Sequence, residues 1–131
     1  MRIQKINENK VIKYYKDKKK RKRLEYEIEI LEKSNNELEE YINRFENKNH
    51  IEVRLEENRK KLLEKKLKLN EFIYESIGLE AFILALNKDD KELCELRYDK
   101  ELGYQEIGRI LHISSSTISR RLNNILMTVN T

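Results

Sequence analysis

Residues 93–126 read LCELRYDKELGYQEIGRILHISSSTISRRLNNIL, and the spacing of their apolar residues predicts three short helices. We expect the first helix over residues 90–98 and the second over residues 104–111. A tight connection follows, and Ser114 is suited to cap a third helix that runs to about Met127. Two short helices around a turn of three to four residues describe a helix-turn-helix.

Two residues of this stretch favour the tight turn. Gly108 has no Cβ, so it permits a close approach of the two helices. His112 stands where the chain often becomes left-handed, and His is among the residues enriched in that conformation. The residues expected to face the core are Ile107, Ile110 and Leu111 of the second helix and Ile118, Leu122, Ile125 and Leu126 of the third.

Upstream of this stretch, apolar residues recur at the four-three spacing of long helices that pack against each other. The first series is Leu24, Ile28, Leu31, Asn35, Leu38, Ile42 and Phe45. The second is Ile51, Leu55, Asn58, Leu62, Lys65, Leu69, Phe72 and Ser76. Residues 46–50 break the pattern and predict a turn, so the two helices should form an antiparallel pair. Acidic residues 27–40 would then lie beside basic residues 59–68.

Composition supports a helical protein. The 131 residues include no Pro and three Gly, which leaves little to make the turns of a sheet. We therefore predict an all-α fold, with a long antiparallel helical hairpin that resembles a coiled coil and then a C-terminal helix-turn-helix. The expected divisions are a charged hairpin over 1–77, an apolar joint over 78–88 that begins at a hairpin-ending Gly78, and the helix-turn-helix module over 89–131.

Charge and cysteine content narrow the function. Charged residues make up 40% of the chain, and 28 basic against 24 acidic residues leave a net charge of only +4, although the two signs are segregated along the chain. One cysteine, no long apolar run and no signal core predict a cytoplasmic protein without a membrane segment. Two distant histidines and a cysteine predict no metal site and no cofactor, and no catalytic motif is present, so we expect no enzyme.

The C-terminal stretch resembles region 4 of the sigma-70 family of transcription initiation factors. The features that match are the segments ELRY, GYQEIGRIL and SSSTISRRL, which cover about 40 residues. No segment resembling region 2, which melts promoters, is found. The whole architecture resembles the phage late-gene activators of the RinA/ArpU type, which join a charged helical half to such a module. The resemblance implies a bacterial cell or phage-infected host.

The resemblance also implies sequence-specific binding of duplex DNA upstream of a promoter, with RNA polymerase as a candidate partner. The start of the third helix would enter the major groove, where Arg120 is suited to a bidentate contact with guanine. The candidate base-reading residues are Ser115, Ser116, Thr117, Ser119 and Arg120. The candidate contacts to the DNA backbone are Tyr104, Gln105, Arg121, Asn123 and Asn124.

A basic run precedes the hairpin series, with seven basic residues among the eight from Lys16 to Arg23. Such a run is more typical of a solvated helix face than of a binding site. It nevertheless supplies a candidate second nucleic-acid contact, whose residues are Lys18, Lys19, Lys20, Arg21, Lys22 and Arg23.

Two other functions fit the same pattern. A DNA-packaging adaptor of the small-terminase kind, or a DNA-maintenance adaptor, also joins a helix-turn-helix to an oligomerising coil. A coiled-coil interaction protein would bind no DNA at all. We also expect a homo-oligomer through residues 1–77, because Leu63, Leu67, Ile73 and Tyr74 fall outside the main hairpin seam.

Overall fold

The computed structural model describes residues 2–44 and 49–129, which form five α-helices and no strand. The prediction of an all-α fold is confirmed. The helices are α1 (Arg2–Arg44), α2 (Asn49–Ala85), α3 (Lys88–Cys94), α4 (Tyr104–Leu111) and α5 (Ser115–Met127). A π-helical turn over Glu95–Asp99 continues α3, so the first helix of the C-terminal stretch extends across the predicted range of residues 90–98.

The described chain divides into two compact units, and both long helices contribute to each of them. One unit contains residues 2–18 and 76–129, and the other contains residues 19–44 and 49–75. This division differs from the predicted boundaries at residues 77 and 88, because the beginning of α1 belongs with the C-terminal helices.

The start of α1 supplies part of the core of the 2–18/76–129 unit. Val11, Tyr14 and Tyr15 are buried in one cluster with side chains from α3 to α5. The Tyr15 ring stacks on Tyr98 with 6.4 Å between the ring centroids. Asn7 donates a hydrogen bond from its side-chain amide to the carbonyl oxygen of Leu126, at 2.7 Å. These contacts make residues 2–18 an integral part of this unit.

Gly78, the predicted end of the hairpin section, does not end the helix, because α2 continues through this glycine to Ala85. A glycine inside a helix costs only about 1 kcal/mol relative to alanine. The following apolar residues outweigh that cost: Ile83 is buried, and Leu79 and Phe82 pack against the same core. Most of the predicted joint over 78–88 is therefore helical.

The 19–75 unit is the predicted hairpin of α1 and α2. Its seam buries Ile28, Leu55 and Asn35, while most other members of the two predicted series are half-buried. The predicted pairing of charges beside the seam is confirmed by ion pairs between the two helices. These pairs are Arg59–Glu39 at 2.8 Å, Lys65–Glu27 at 2.8 Å and Lys66–Glu32 at 3.1 Å.

The predicted turn over residues 46–50 is only partly described. Residues 46–48, like the predicted inward residue Phe45, lie outside the described residues. Asn49 and His50 are already helical at the start of α2, which shortens the predicted turn at its C-terminal end. Helix ends commonly differ from pattern-based boundaries by one or two residues.

None of the helices in the described ranges combines the length and the apolar character that a membrane span requires. Within the same ranges, no three potential metal-ligating side chains come together.

Candidate nucleic-acid interface

The α3 helix, which precedes the candidate interface, has a side-chain cap at its N-terminus. Asn87 accepts a hydrogen bond from the backbone N–H of Asp90 at 2.8 Å, which satisfies one of the amides that a helix start leaves unpaired. Leu93 and Cys94 are fully buried on the inner face of α3. Burial raises the pKa of the Cys94 thiol to about 12, so this cysteine is an inert core residue.

The turn between α4 and α5 has the predicted geometry. His112 ends α4 in the left-handed conformation, with φ 58° and ψ 40°. A Cβ on Gly108 would lie 2.6 Å from the carbonyl oxygen of Ile113, so only glycine fits at this position without a shift of the backbone. The Ile113 N–H donates to the Gly108 carbonyl oxygen at 3.1 Å, which closes the turn. Both residues singled out from the sequence therefore shape the turn.

Ser114 caps α5 as predicted. Its hydroxyl oxygen accepts a hydrogen bond from the Thr117 N–H at 3.2 Å. The same hydroxyl lies 2.8 Å from the Thr117 hydroxyl and 3.2 Å from that of Ser116. The first turn of α5 is thereby held rigid, and its hydroxyls already share hydrogen bonds with one another. The four predicted inward residues of α5 are buried: Ile118, Leu122, Ile125 and Leu126.

The prediction that Ile110 of α4 faces the core is wrong. Ile110 is 51% exposed, whereas Ile107 is fully buried and Leu111 is half-buried. Each residue rotates the helix by about 100°, so Ile110 lies beyond the edge of the arc that Ile107, Gly108 and Leu111 direct inward. An eight-residue helix packed so closely at its glycine has a narrow inward face.

An open groove joins the start of α4 to the first two turns of α5. Its lining residues are Gly103, Tyr104, Gln105, Glu106, Arg109, Ser115, Ser116 and Ser119. The structure therefore brings together two of the predicted backbone-contacting residues and three of the predicted base-reading residues. The first amides of α4 point to this end, and no side chain within the described residues caps them. Such amides suit an anion.

Arg109 lines this groove and was not among the predicted site residues. It is exposed, and it lies one helical turn after Gln105 on the same face of α4. That four-residue spacing was the signal available in the sequence. Glu106 lies in the same groove, and its carboxylate would repel an anion there.

Two groups of the predicted site residues face different ways. Arg120 is exposed on the outer face of α5, and Asn124 is exposed one turn later. Arg121 instead forms an ion pair with Asp90 of α3 at 3.5 Å. Asn123 shares a hydrogen bond with Gln4 of α1. The helix rotation thus directs Arg121 and Asn123 toward neighbouring helices of their own unit, while Arg120 is turned to solvent.

Tyr104, a predicted contact to the DNA backbone, is half-buried at the start of α4. The guanidinium of Arg97 lies over its ring at 4.4 Å, and the same arginine donates to the Leu102 carbonyl oxygen at 3.0 Å. Arg97 therefore fixes the orientation of Tyr104 beside the groove.

The predicted second contact lies on α1 across the boundary of the two units, with Lys18 in one unit and residues 19–23 in the other. All of these side chains are exposed except that of Arg21, which is half-buried. Asp17 within the run is buried and pairs with Lys13 at 2.9 Å.

Comparison with known families agrees with this geometry. The family model for sigma-70, region 4 matches residues 83–129, which extend from the end of α2 through α5. Neither the curated proteins nor the solved structures gave a match. The C-terminal helices of this chain therefore form a helix-turn-helix similar to region 4 of the sigma-70 family.

Proposed function

We propose that this chain is a sequence-specific, duplex-DNA-binding regulator of transcription of the RinA/ArpU type, encoded by a phage and acting at a promoter in the bacterial cytoplasm. The observation that carries the proposal is the region-4-like helix-turn-helix over residues 83–129. Its α5 contains no acidic residue and exposes Arg120, which suits a helix that enters a DNA groove.

In this proposal the beginning of α5 enters the major groove. Arg120 reads a guanine through a bidentate hydrogen bond, because it is the long donor on the exposed face. Phosphates of the flanking backbone bind at the start of α4, where free amides, Gln105 and Arg109 line the groove. RNA polymerase and a second copy of the chain are the proposed protein partners.

Three arginine variants of the full chain test this arrangement on a duplex selected from a random library. Arg120→Ala should cost about 1–3 kcal/mol on the selected duplex and relax the preference at one base pair. Arg109→Ala should weaken binding to all duplexes alike and reduce the salt slope by about one unit. Arg121→Ala is the matched control, because its ion pair with Asp90 directs it away from DNA.

Footprinting on genomic DNA that contains the selected sequence then distinguishes the three candidate functions, which are the transcription regulator, the DNA adaptor and the coiled-coil interaction protein. A site next to a promoter, extended by RNA polymerase, supports the regulator, whereas a site at a packaging locus supports the adaptor. If the chain enriches no duplex from the library, the result contradicts DNA binding. The remaining function is then that of a coiled-coil interaction protein. Unchanged affinity in Arg120→Ala would contradict the proposed docking of α5.

A further inference from the structure

The outer face of α2 in the 19–75 unit carries an apolar stripe that the hairpin does not cover. Leu63 and Leu67 are each 59% exposed, and Tyr74 is 79% exposed. Leu67 follows Leu63 by four residues, and Tyr74 follows Leu67 by seven, so the three side chains lie on one face of the helix. Leu55, Leu62 and Leu69 occupy the opposite face, which packs in the seam with α1. Exposed apolar stripes of this kind mark protein-binding surfaces.

The stripe follows a heptad repeat, abcdefg. Leu67 and Tyr74 fall at a positions, and Leu63 and Asn70 fall at d positions, while the a position before Leu67 is occupied by Lys60. The two flanks of the stripe carry opposite charges. The acidic flank consists of the e positions Glu57, Glu64 and Glu71, and the opposite flank has basic residues at the g positions Arg59 and Lys66, which follow Glu52 at the g position before them.

We propose that this face of α2 binds the same face of a second copy of the chain, with the two α2 helices parallel and in register. The inference rests on the self-association in the proposed function and adds its surface and its orientation. In a parallel coiled coil a g residue faces the e residue five positions later on the other helix. Arg59 then meets Glu64 of the second copy, and Lys66 meets Glu71 of the second copy.

The opposite orientation places like charges together. An antiparallel pair that also stacks Leu63 on Leu67 sets each Lys66 beside the Lys66 of the second copy. It also sets each Glu64 beside the other Glu64, because g faces g and e faces e. Like charges at this separation destabilise by as much as opposite charges stabilise. The flanking charges of residues 59–71 therefore favour the parallel pair, and Lys60 at an a position specifies its register at a cost in stability.

The basic residues of the flank also serve the hairpin. Arg59 pairs with Glu39 and Lys66 with Glu32 inside one chain. An arginine carries five donors and a lysine carries three, and both side chains are about half exposed, so each can bind a second carboxylate. Since α2 of each copy leaves this unit at Glu75, a parallel pair sends both chains out at the same end. Pairing of the two α2 helices would thus tether two DNA-binding modules to each other and raise the effective concentration of the second.

Single cysteines in the full chain test the orientation, because the native Cys94 is fully buried and inert. Leu63→Cys and Tyr74→Cys should each cross-link to its own counterpart with a short bismaleimide, since residues at a and d positions face their equals across a parallel axis. Lys61→Cys, an exposed neighbour outside the stripe, is the control and should stay monomeric on a denaturing gel. Cross-linking of Leu63→Cys only to an added Leu67→Cys variant would establish an antiparallel pair and overturn the proposal.

Two charge reversals at equivalent positions test the surface by sedimentation. Glu64→Lys faces Arg59 of the second copy and should weaken association about tenfold. Glu57→Lys makes the same chemical change at the previous e position, where its parallel neighbour is Glu52 of the second copy. It should tighten association instead. A full-length chain that stays monomeric at hundreds of micromolar, or a dimer that neither reversal changes, would contradict the proposal.

These results are independent of the DNA-binding proposal. The Arg120→Ala variant leaves the outer face of α2 intact, so it should dimerise like the unchanged chain even though its DNA binding is weakened. A dimer without DNA binding would contradict only the proposed function. DNA binding by a monomer would contradict only the pairing of α2.

Discussion

The two units of this chain are stabilised in different ways. In the 2–18/76–129 unit, fourteen apolar side chains are buried in one continuous cluster. In the described part of the 19–75 unit, Ile28 and Leu55 are the buried apolar residues, and Asn35 is buried beside them. Surface ion pairs contribute only about 0–1 kcal/mol each, so the pairs beside the seam do not replace a core. The 2–18/76–129 unit therefore buries many more apolar side chains than the described part of the 19–75 unit, although the same two long helices contribute to both.

The largest effect should come from breaking the core where α1 enters it. Tyr15→Ala removes a side chain that is 2% exposed and should destabilise the 2–18/76–129 unit by about 3–5 kcal/mol. Tyr26→Ala is the control on the same helix, because Tyr26 is 64% exposed. Hydrogen exchange, read separately over each unit, measures both effects. Equal losses in the two variants would show that residues 2–18 do not belong to the core.

The second effect concerns the turn of the helix-turn-helix. Gly108→Ala places a methyl group 2.6 Å from the Ile113 carbonyl oxygen and should cost about 1–3 kcal/mol through overpacking. Gly103→Ala is the matched control, because its added Cβ meets nothing within 4 Å and its φ of −76° suits alanine. Thermal melts of the two variants should differ clearly. Equal midpoints would mean that the turn can relax around the new methyl group.

The third effect concerns the buried asparagine in the hairpin seam. The side-chain oxygen of buried Asn35 has no hydrogen-bond partner among the described residues. Asn35→Leu should therefore stabilise the 19–75 unit by about 1–2 kcal/mol. Asn36→Leu, at the exposed neighbouring position, should change its stability by less than about 0.5 kcal/mol. Slower hydrogen exchange over residues 19–75 in the first variant alone is the expected result.

The smallest effect concerns backbone strain in the otherwise well-packed unit. His112→Gly relieves a left-handed conformation and should stabilise the unit by about 0.5–1 kcal/mol, less the entropy that glycine adds to the unfolded chain. A thermal melt measures this gain. A lower midpoint would indicate that the His112 side chain makes stabilising contacts.

The sequence was most informative where the interaction is local. The bounds of α4, the cap at Ser114, the left-handed His112 and the close approach at Gly108 all depend on residues within about six positions of one another. The charges flanking the hairpin seam were predictable too, because a single reversal of the chain aligns two charged segments of opposite sign. The predicted inward position of Ile110 failed, since a pattern of apolar residues does not reveal how wide the buried arc of a short helix is.

The helical fold, the hairpin and the helix-turn-helix with its exposed Arg120 were therefore predictable from local patterns. Those patterns did not predict that residues 2–18 join the C-terminal core, that Arg121 pairs with Asp90 or that Asn123 shares a hydrogen bond with Gln4. An amphipathic helix shows in its sequence that one face must be buried, but not against which partner. That choice depends on shape and volume among residues about 30 to 120 positions apart, whose packing no local periodicity records.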